Sequence, residues 1–250
     1  MNKREFLKGM VAFIPVATLL GRLGPVAEAL GDTGKEKYDA KDHWYGMGIE
    51  IEKCIGCNRC VEACKAENNV PDESAYFRTW VERYTILGSG ETAVECISVK
   101  DGPRRQPPDE RDIVRTFFVP KLCNHCAHPP CVQVCPVGAT FATQDGVVLV
   151  DSQRCIGCRY CIQACPYGAR YLHPQTKTAD KCTFCYHRIR KGLLPACVEV
   201  CPTQARVFGD VESKASPLGR LRRMGKPQVL KPYLNTEPRV FYTELDGEVR

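Results

Sequence analysis

Of the 250 residues, 17 are cysteine, and sixteen of those fall into four groups of four. The first is Cys54, Cys57, Cys60 and Cys64, spaced C-x2-C-x2-C-x3-C. The second is Cys123, Cys126, Cys131 and Cys135, spaced C-x2-C-x4-C-x3-C and followed by Pro136. The third, Cys155, Cys158, Cys161 and Cys165, repeats the first spacing and precedes Pro166. The fourth, Cys182, Cys185, Cys197 and Cys201, reads C-x2-C-x11-C-x3-C before Pro202. A disulfide framework has no reason to repeat a three-plus-one spacing four times. Structural zinc wants C-x2-C pairs separated by a longer spacer, and in groups one and three a third cysteine follows too closely. Covalent haem needs C-x-x-C-H, and no pair is followed by histidine. The overall composition, 44% hydrophobic and 26% charged, is that of an ordinary globular chain.

The spacing resembles the thiolate run of bacterial two-cluster ferredoxins, written twice. Three cysteines two residues apart let a loop wrap one face of a [4Fe–4S] cubane, with Gly56 and Gly157 supplying backbone freedom. The fourth cysteine is expected on the first turn of a helix, directed at the neighbouring cluster, and the following proline fixes φ where the chain turns. Groups two and three lie back to back in residues 121–172 and make an inner two-cluster domain. Groups one and four flank it and are expected to pair, joining residues 45–67 to 173–211 as an outer domain. The ferredoxin arrangement thus implies four clusters: Cys54, Cys57 and Cys60 with Cys201; Cys182, Cys185 and Cys197 with Cys64; Cys123, Cys126 and Cys131 with Cys165; and Cys155, Cys158 and Cys161 with Cys135. Pairing within each group is the alternative. Cys96 reads as a small buried residue, and His125 as a packing or hydrogen-bonding residue beside a saturated thiolate set. Arg59, Lys65, Arg154, Arg159 and Lys181 lie close enough in sequence to offset cluster charge, with solvated surface as the alternative.

Short alternating or β-branched runs recur before the groups, at Met47–Glu52, Thr116–Val119 and Gly146–Asp151, and after them, at Tyr167–Leu172 and Gln204–Gly209. The repeating unit is strand, cluster loop, short helix, strand. The fold class is therefore α+β: two interleaved ferredoxin-like domains with extra strands. Residues 68–120 are an insertion, with Tyr76–Tyr84 and Ala93–Val99 as a hairpin. Residues 212–250, rich in proline, are expected to form an extended tail, with Arg220, Arg222, Arg223 and Lys226 on a solvated turn.

At the other end, Lys3-Arg4-Glu5-Phe6-Leu7-Lys8, a short apolar stretch and Ala27-Glu28-Ala29 describe an export signal over residues 1–29. Its basic pair resembles the twin-arginine type, with lysine in the first place, which implies export of a folded, loaded protein to the periplasm or the outer face of the cytoplasmic membrane. The net charge of +6 is no nucleic-acid signal. Each oxidised cluster with its thiolates carries a formal charge of about −2, so four would reverse the sign.

Over residues 45–240 the pattern, including Cys54-Ile55-Gly56-Cys57-Asn58-Arg59-Cys60-Val61-Glu62-Ala63-Cys64 and Cys155-Ile156-Gly157-Cys158-Arg159-Tyr160-Cys161, resembles the iron–sulfur subunits of the dimethyl-sulfoxide-reductase superfamily. That resemblance implies electron transfer, without an active site of its own, between an integral membrane quinone-reactive subunit and a catalytic or redox partner of molybdopterin or multihaem type. It further implies membrane attachment through partners. A free-standing periplasmic polyferredoxin shuttle is the alternative. No phosphate-binding loop or nucleophile elbow occurs.

Overall fold

The computed structural model describes residues 38–73, 75–98 and 112–249. The export signal lies outside the described residues, as do residues 99–111 of the insertion. In chain order the strands are β1 (Tyr45–Glu50), β2 (Thr79–Leu87), β3 (Thr92–Cys96), β4 (Ile113–Leu122), β5 (Thr140–Ala142), β6 (Val148–Val150), β7 (Tyr171–Leu172), β8 (Ala179–Asp180), β9 (Arg206–Asp210) and β10 (Val240–Thr243). Between them lie α1 (Arg59–Asn68), the one-turn helices α2 (Pro130–Gln133), α3 (Tyr160–Gln163), α4 (Tyr186–Ile189) and α5 (Ala196–Glu199), and α6 (Pro217–Met224).

Strand β1 is the seam of the molecule. It runs antiparallel to β9, Met47 opposite Phe208, and parallel to β10, Met47 beside Val240. Its interior Met47 and Ile49 are fully buried because both neighbours cover them, and Val240 and Tyr242 close the same core. One side of group one is thereby tied to the chain that follows group four. The insertion forms a second sheet in the order β3-β2-β4. The expected hairpin is present and gains β4, a strand of ten residues, as its third member. Pro120 sits on β4, an edge position where a missing N–H costs no ladder bond. Val81, Tyr84, Val119 and Leu122 bury their side chains from this sheet into the shared core.

Two sequence expectations need correction. The helices carry the third cysteine of each group (Cys60, Cys131, Cys161, Cys197), and the fourth follows about one turn later, inside α1 in group one and past the helix end in the others. The cause is the tight loop, which feeds the third cysteine straight into helical φ, ψ. The tail also departs from an extended wrap. Ser216 caps α6 by accepting the Gly219 N–H at 2.9 Å, Pro217 occupies the first turn, and Gly225 ends it. Leu218 on that helix is fully buried, and β10 completes the sheet around β1. Strands after groups three and four begin later than their patterns imply, at Tyr171 and Arg206. The preceding backbone is engaged with sulfur. Among the described residues no helix is long and apolar enough to cross a membrane.

Candidate functional site

The loops that present sulfur share one backbone shape. In groups one and three the chain passes through the left-handed region at Gly56 and Gly157, both at φ 69°, and again at Asn58 (59°) and Arg159 (67°). Glycine is needed for space as well as for φ. A Cβ at Gly56 would meet the Phe118 ring at 2.6 Å, and one at Gly157 the Lys177 carbonyl oxygen at 2.4 Å. Groups two and four make the same turn with side chains in the glycine place, His125 at φ 42° and Phe184 at 52°. Both rings are buried and stack with centroids 3.7 Å apart. His125 Nδ1 accepts the Val148 N–H at 3.0 Å, which leaves its proton on Nε2. Burial, with Lys181, Arg239 and Arg170 nearby, holds its pKa well below 6.5, so the ring is neutral. His125 is thus a packing residue, as its place beside four cysteines implied.

These loops bring cysteines from different groups around common cavities. Cys54, Cys57 and Cys60 share one with Cys201. Cys182, Cys185 and Cys197 share another with Cys64. Cys123, Cys126 and Cys131 share a third with Cys165. Of the remaining four, Cys161 is buried beside Cys131 with Cys155 packed against it. Cys155 accepts the Ala179 N–H at 3.4 Å, and Cys135 accepts that of Thr140 at 3.5 Å. None of the sixteen grouped cysteines forms a disulfide among the described residues. Nor do three Cys, His, Asp or Glu side chains there converge on a single-ion site. Four thiols spread around one enclosed space fit a cubane, which offers each thiolate its own iron.

The surroundings are built to accept negative charge. Each Cys-Pro-x-x-Ala loop folds back on its own cysteine. Cys135 lies below the ordinary thiol range because, against the raising effect of burial, it accepts N–H groups of Thr140, Val137 and Ala139. Cys201 is lowered in the same way, by the Thr203 hydroxyl and the backbone of Arg206 and Ala205. In the metal-free chain, burial and neighbouring sulfurs push Cys126 up to about 12 and Cys197 to about 11. Those thiols are protonated near neutrality, so iron binding releases protons. Buried cations stand by. Arg206 Nη2 donates to Cys60 Sγ at 3.4 Å and Arg170 Nη2 to Cys131 Sγ at 3.0 Å. Lys181 is 1% exposed, donating to the Val148 and Cys182 carbonyls. Asn124, 1% exposed, lines the cavity of Cys123, and neither atom of its amide has a partner there, an orphaned donor that cluster sulfide would satisfy.

Among the five cations expected near clusters, Lys181 alone is buried. Arg59, Arg154 and Arg159 are exposed, and half-buried Lys65 donates to the carbonyls of Pro71, Asp72 and Glu73. Arg170, Arg206 and Asn124 were not singled out from sequence. The signal for the arginines is the string Cys-Pro-x-x-Ala-Arg, present after groups three and four.

Two family models match, both described as 4Fe-4S dicluster domains, over residues 53–139 and 114–211. The chain is 41% identical to a tetrathionate reductase subunit of Salmonella typhimurium, over 98% of this chain and 89% of the relative. The chain belongs to the iron–sulfur subunits of the dimethyl-sulfoxide-reductase superfamily. Within that family it is also 48% identical to the corresponding tetrathionate reductase subunit of Archaeoglobus fulgidus, over 81% of this chain and 83% of the relative. With protein NrfC of Escherichia coli it shares 38% identity over 96% and 94%. As a member of this family the chain is an electron-transfer subunit carrying 4Fe-4S clusters. The α+β ferredoxin-like fold expected from the spacing is the one found.

Proposed function

We propose that the chain holds four [4Fe–4S] clusters in the crossed sets and conducts electrons between two partners of an exported respiratory reductase complex. The observation that carries this reading is the sharing of cavities, three cysteines from one group with the fourth of another, seen three times. Repeated once more, it gives Cys155, Cys158 and Cys161 with Cys135. Saturated clusters change charge by one electron with little nuclear movement, which suits transfer rather than bond-making. The sets form a line. Groups one and four share partners, group four meets group two where Phe184 stacks on His125 and Lys181 lies against both Cys123 and Cys182, and group two shares partners with group three.

The two ends of this line reach the surface, since Cys57 and Cys158 are the exposed cysteines of the sixteen. Ile55 and Ile156 beside them are 59% and 66% exposed. One end serves a catalytic or redox subunit of molybdopterin or multihaem type, the other a quinone-reactive membrane subunit, and the chain is carried there folded by the signal in residues 1–29. Anaerobic reconstitution tests the cluster set. About sixteen irons and as many sulfides per chain are expected. Cys54→Ser and Cys201→Ser should perturb the same cluster in the electron paramagnetic resonance spectrum, and Cys64→Ser a different one. Loss of one signal from both Cys54→Ser and Cys64→Ser, with another lost from Cys201→Ser, would reject the crossed sets. Protease accessibility of the chain in intact spheroplasts, with and without residues 1–29, tests the location.

A further inference from the structure

The string Cys-Pro-x-x-Ala-Arg places Arg206 five residues after Cys201 and Arg170 five residues after Cys165. Both guanidiniums are buried, at 2% and 5% exposure. Each reaches across to the trio with which its own cysteine shares a cavity. Arg206 donates to Cys60 Sγ at 3.4 Å and is anchored on Thr79 Oγ1 at 2.7 Å. Arg170 donates to Cys131 Sγ at 3.0 Å, with Thr140 Oγ1 at 3.3 Å. Neither has a carboxylate in ion-pair range among the described residues.

In the Cys155 set the donor is neutral. Five residues after Cys135 the repeat carries Thr140 in place of arginine, and its N–H donates to Cys135. Beside Cys64 the donor is the Asn68 amide, 3.6 Å from both Cys64 Sγ and Cys185 Sγ. Arg206 also faces Cys197 of that set, and Arg78, another cation beside Cys64, pairs with Asp180 at 2.8 Å and spends an N–H on Asn68 Oδ1 at 2.9 Å. Lys181 faces groups two and four alike. It therefore moves both without separating them.

Resting on the conductor reading, we propose that Arg206 and Arg170 are tuning residues that raise the midpoint potentials of the clusters to whose thiolates they donate. A reduced cluster carries one more negative charge than an oxidised one. An unpaired guanidinium in a low-dielectric interior, donating to a ligand thiolate, therefore stabilises the reduced form more.

The experiment is a potentiometric titration of the reconstituted full-length chain, followed by electron paramagnetic resonance, with iron and sulfide counted in every sample. Arg206→Gln is expected to lower the midpoint of the Cys60 set most, with a smaller shift at the set of Cys197, and to leave two in place. Arg170→Gln should lower a different one, and Arg206→Lys, which keeps the charge, should restore most of the first shift. Unchanged midpoints in fully loaded Gln variants would overturn the proposal, and so would a shift that lysine fails to reverse. If Arg206→Gln does not fill, Thr79→Val decides, because it frees the guanidinium from its anchor without removing it. A smaller shift in the same direction supports tuning, and no shift rejects it. A wild-type iron count well below sixteen overturns the conductor reading itself, independently of the midpoints.

Discussion

Among single residues, space at the sulfur loops decides more than polarity. Gly56 and Gly168 both adopt left-handed backbone, but only the first has a neighbour where a Cβ would go. Gly168→Ala should cost about 1–2 kcal/mol from backbone strain alone. Gly56→Ala adds a collision with Phe118 and should displace the loop of Cys54, Cys57 and Cys60, lowering bound iron by about four per chain. Iron counting on the two variants separates these outcomes, and equal losses would contradict the account. The four cysteine groups and the loop glycines Gly56 and Gly157 were legible in the sequence because their spacing is itself the geometry. Arg206 and Arg170 were harder to find. An arginine is ordinarily a surface residue, and only the folded-back Pro-x-x-Ala loop turns these two inward. His125 and Phe184 stand where the sister repeats have glycine, a departure from the repeat that the fold turns into a stacking contact.

At the level of elements, ties between helices carry the sheath around the buried sulfur. Glu67 at the end of α1 accepts from His187 on α4 at 2.6 Å and from Arg188 at 2.9 Å. The His187 hydrogen bond, against burial and with help from Arg188, holds its carboxyl below the ordinary 4.5. A depressed folded-state value means that the stabilisation is present above the unfolded pKa and lost as pH falls through the folded one. Urea midpoints of wild type and Glu67→Gln should therefore differ at pH 6 and converge as pH drops below about 4.5. A gap that stays constant would reject the link.

Helix α6 offers a second test. Ser216→Ala removes its cap and should cost about 1 kcal/mol. Leu218→Ala, at a fully buried position, should cost about 2–5 kcal/mol; both are read from denaturation midpoints. The Ser216-Pro217 start and Gly225 stop were visible in the sequence. Four prolines nearby outweighed them, because proline density signals extended chain unless its position relative to a cap is considered. Short strands were located within a few residues, and their late starts follow from N–H groups given to sulfur instead of to a neighbouring strand.

Across the whole molecule, the core and the sulfur cavities are one body. Buried cysteines sit in the same cluster as Met47, Val81, Phe184 and Tyr242, and buried Arg206 and Lys181 have thiolates as their nearest anions. Stripping iron would leave those cations without counter-charge in a low-dielectric interior, a loss of several kcal/mol. Anaerobic chelation should therefore collapse near-ultraviolet dichroism and lower the melting temperature sharply as iron leaves. Retention of native dichroism in the iron-free chain would show that the apolar core stands alone.

The seam at β1 has a consequence for how such a chain is made. The first three cysteines precede by well over a hundred residues both Cys201, which lines the same cavity, and the strand that flanks β1, Val240–Thr243. On the crossed sets proposed above, those first sulfurs stay without their fourth partner until Cys201 has been made. Iron insertion at that set then follows synthesis of both stretches, and any quality check made on the fold inspects group one and β10 together.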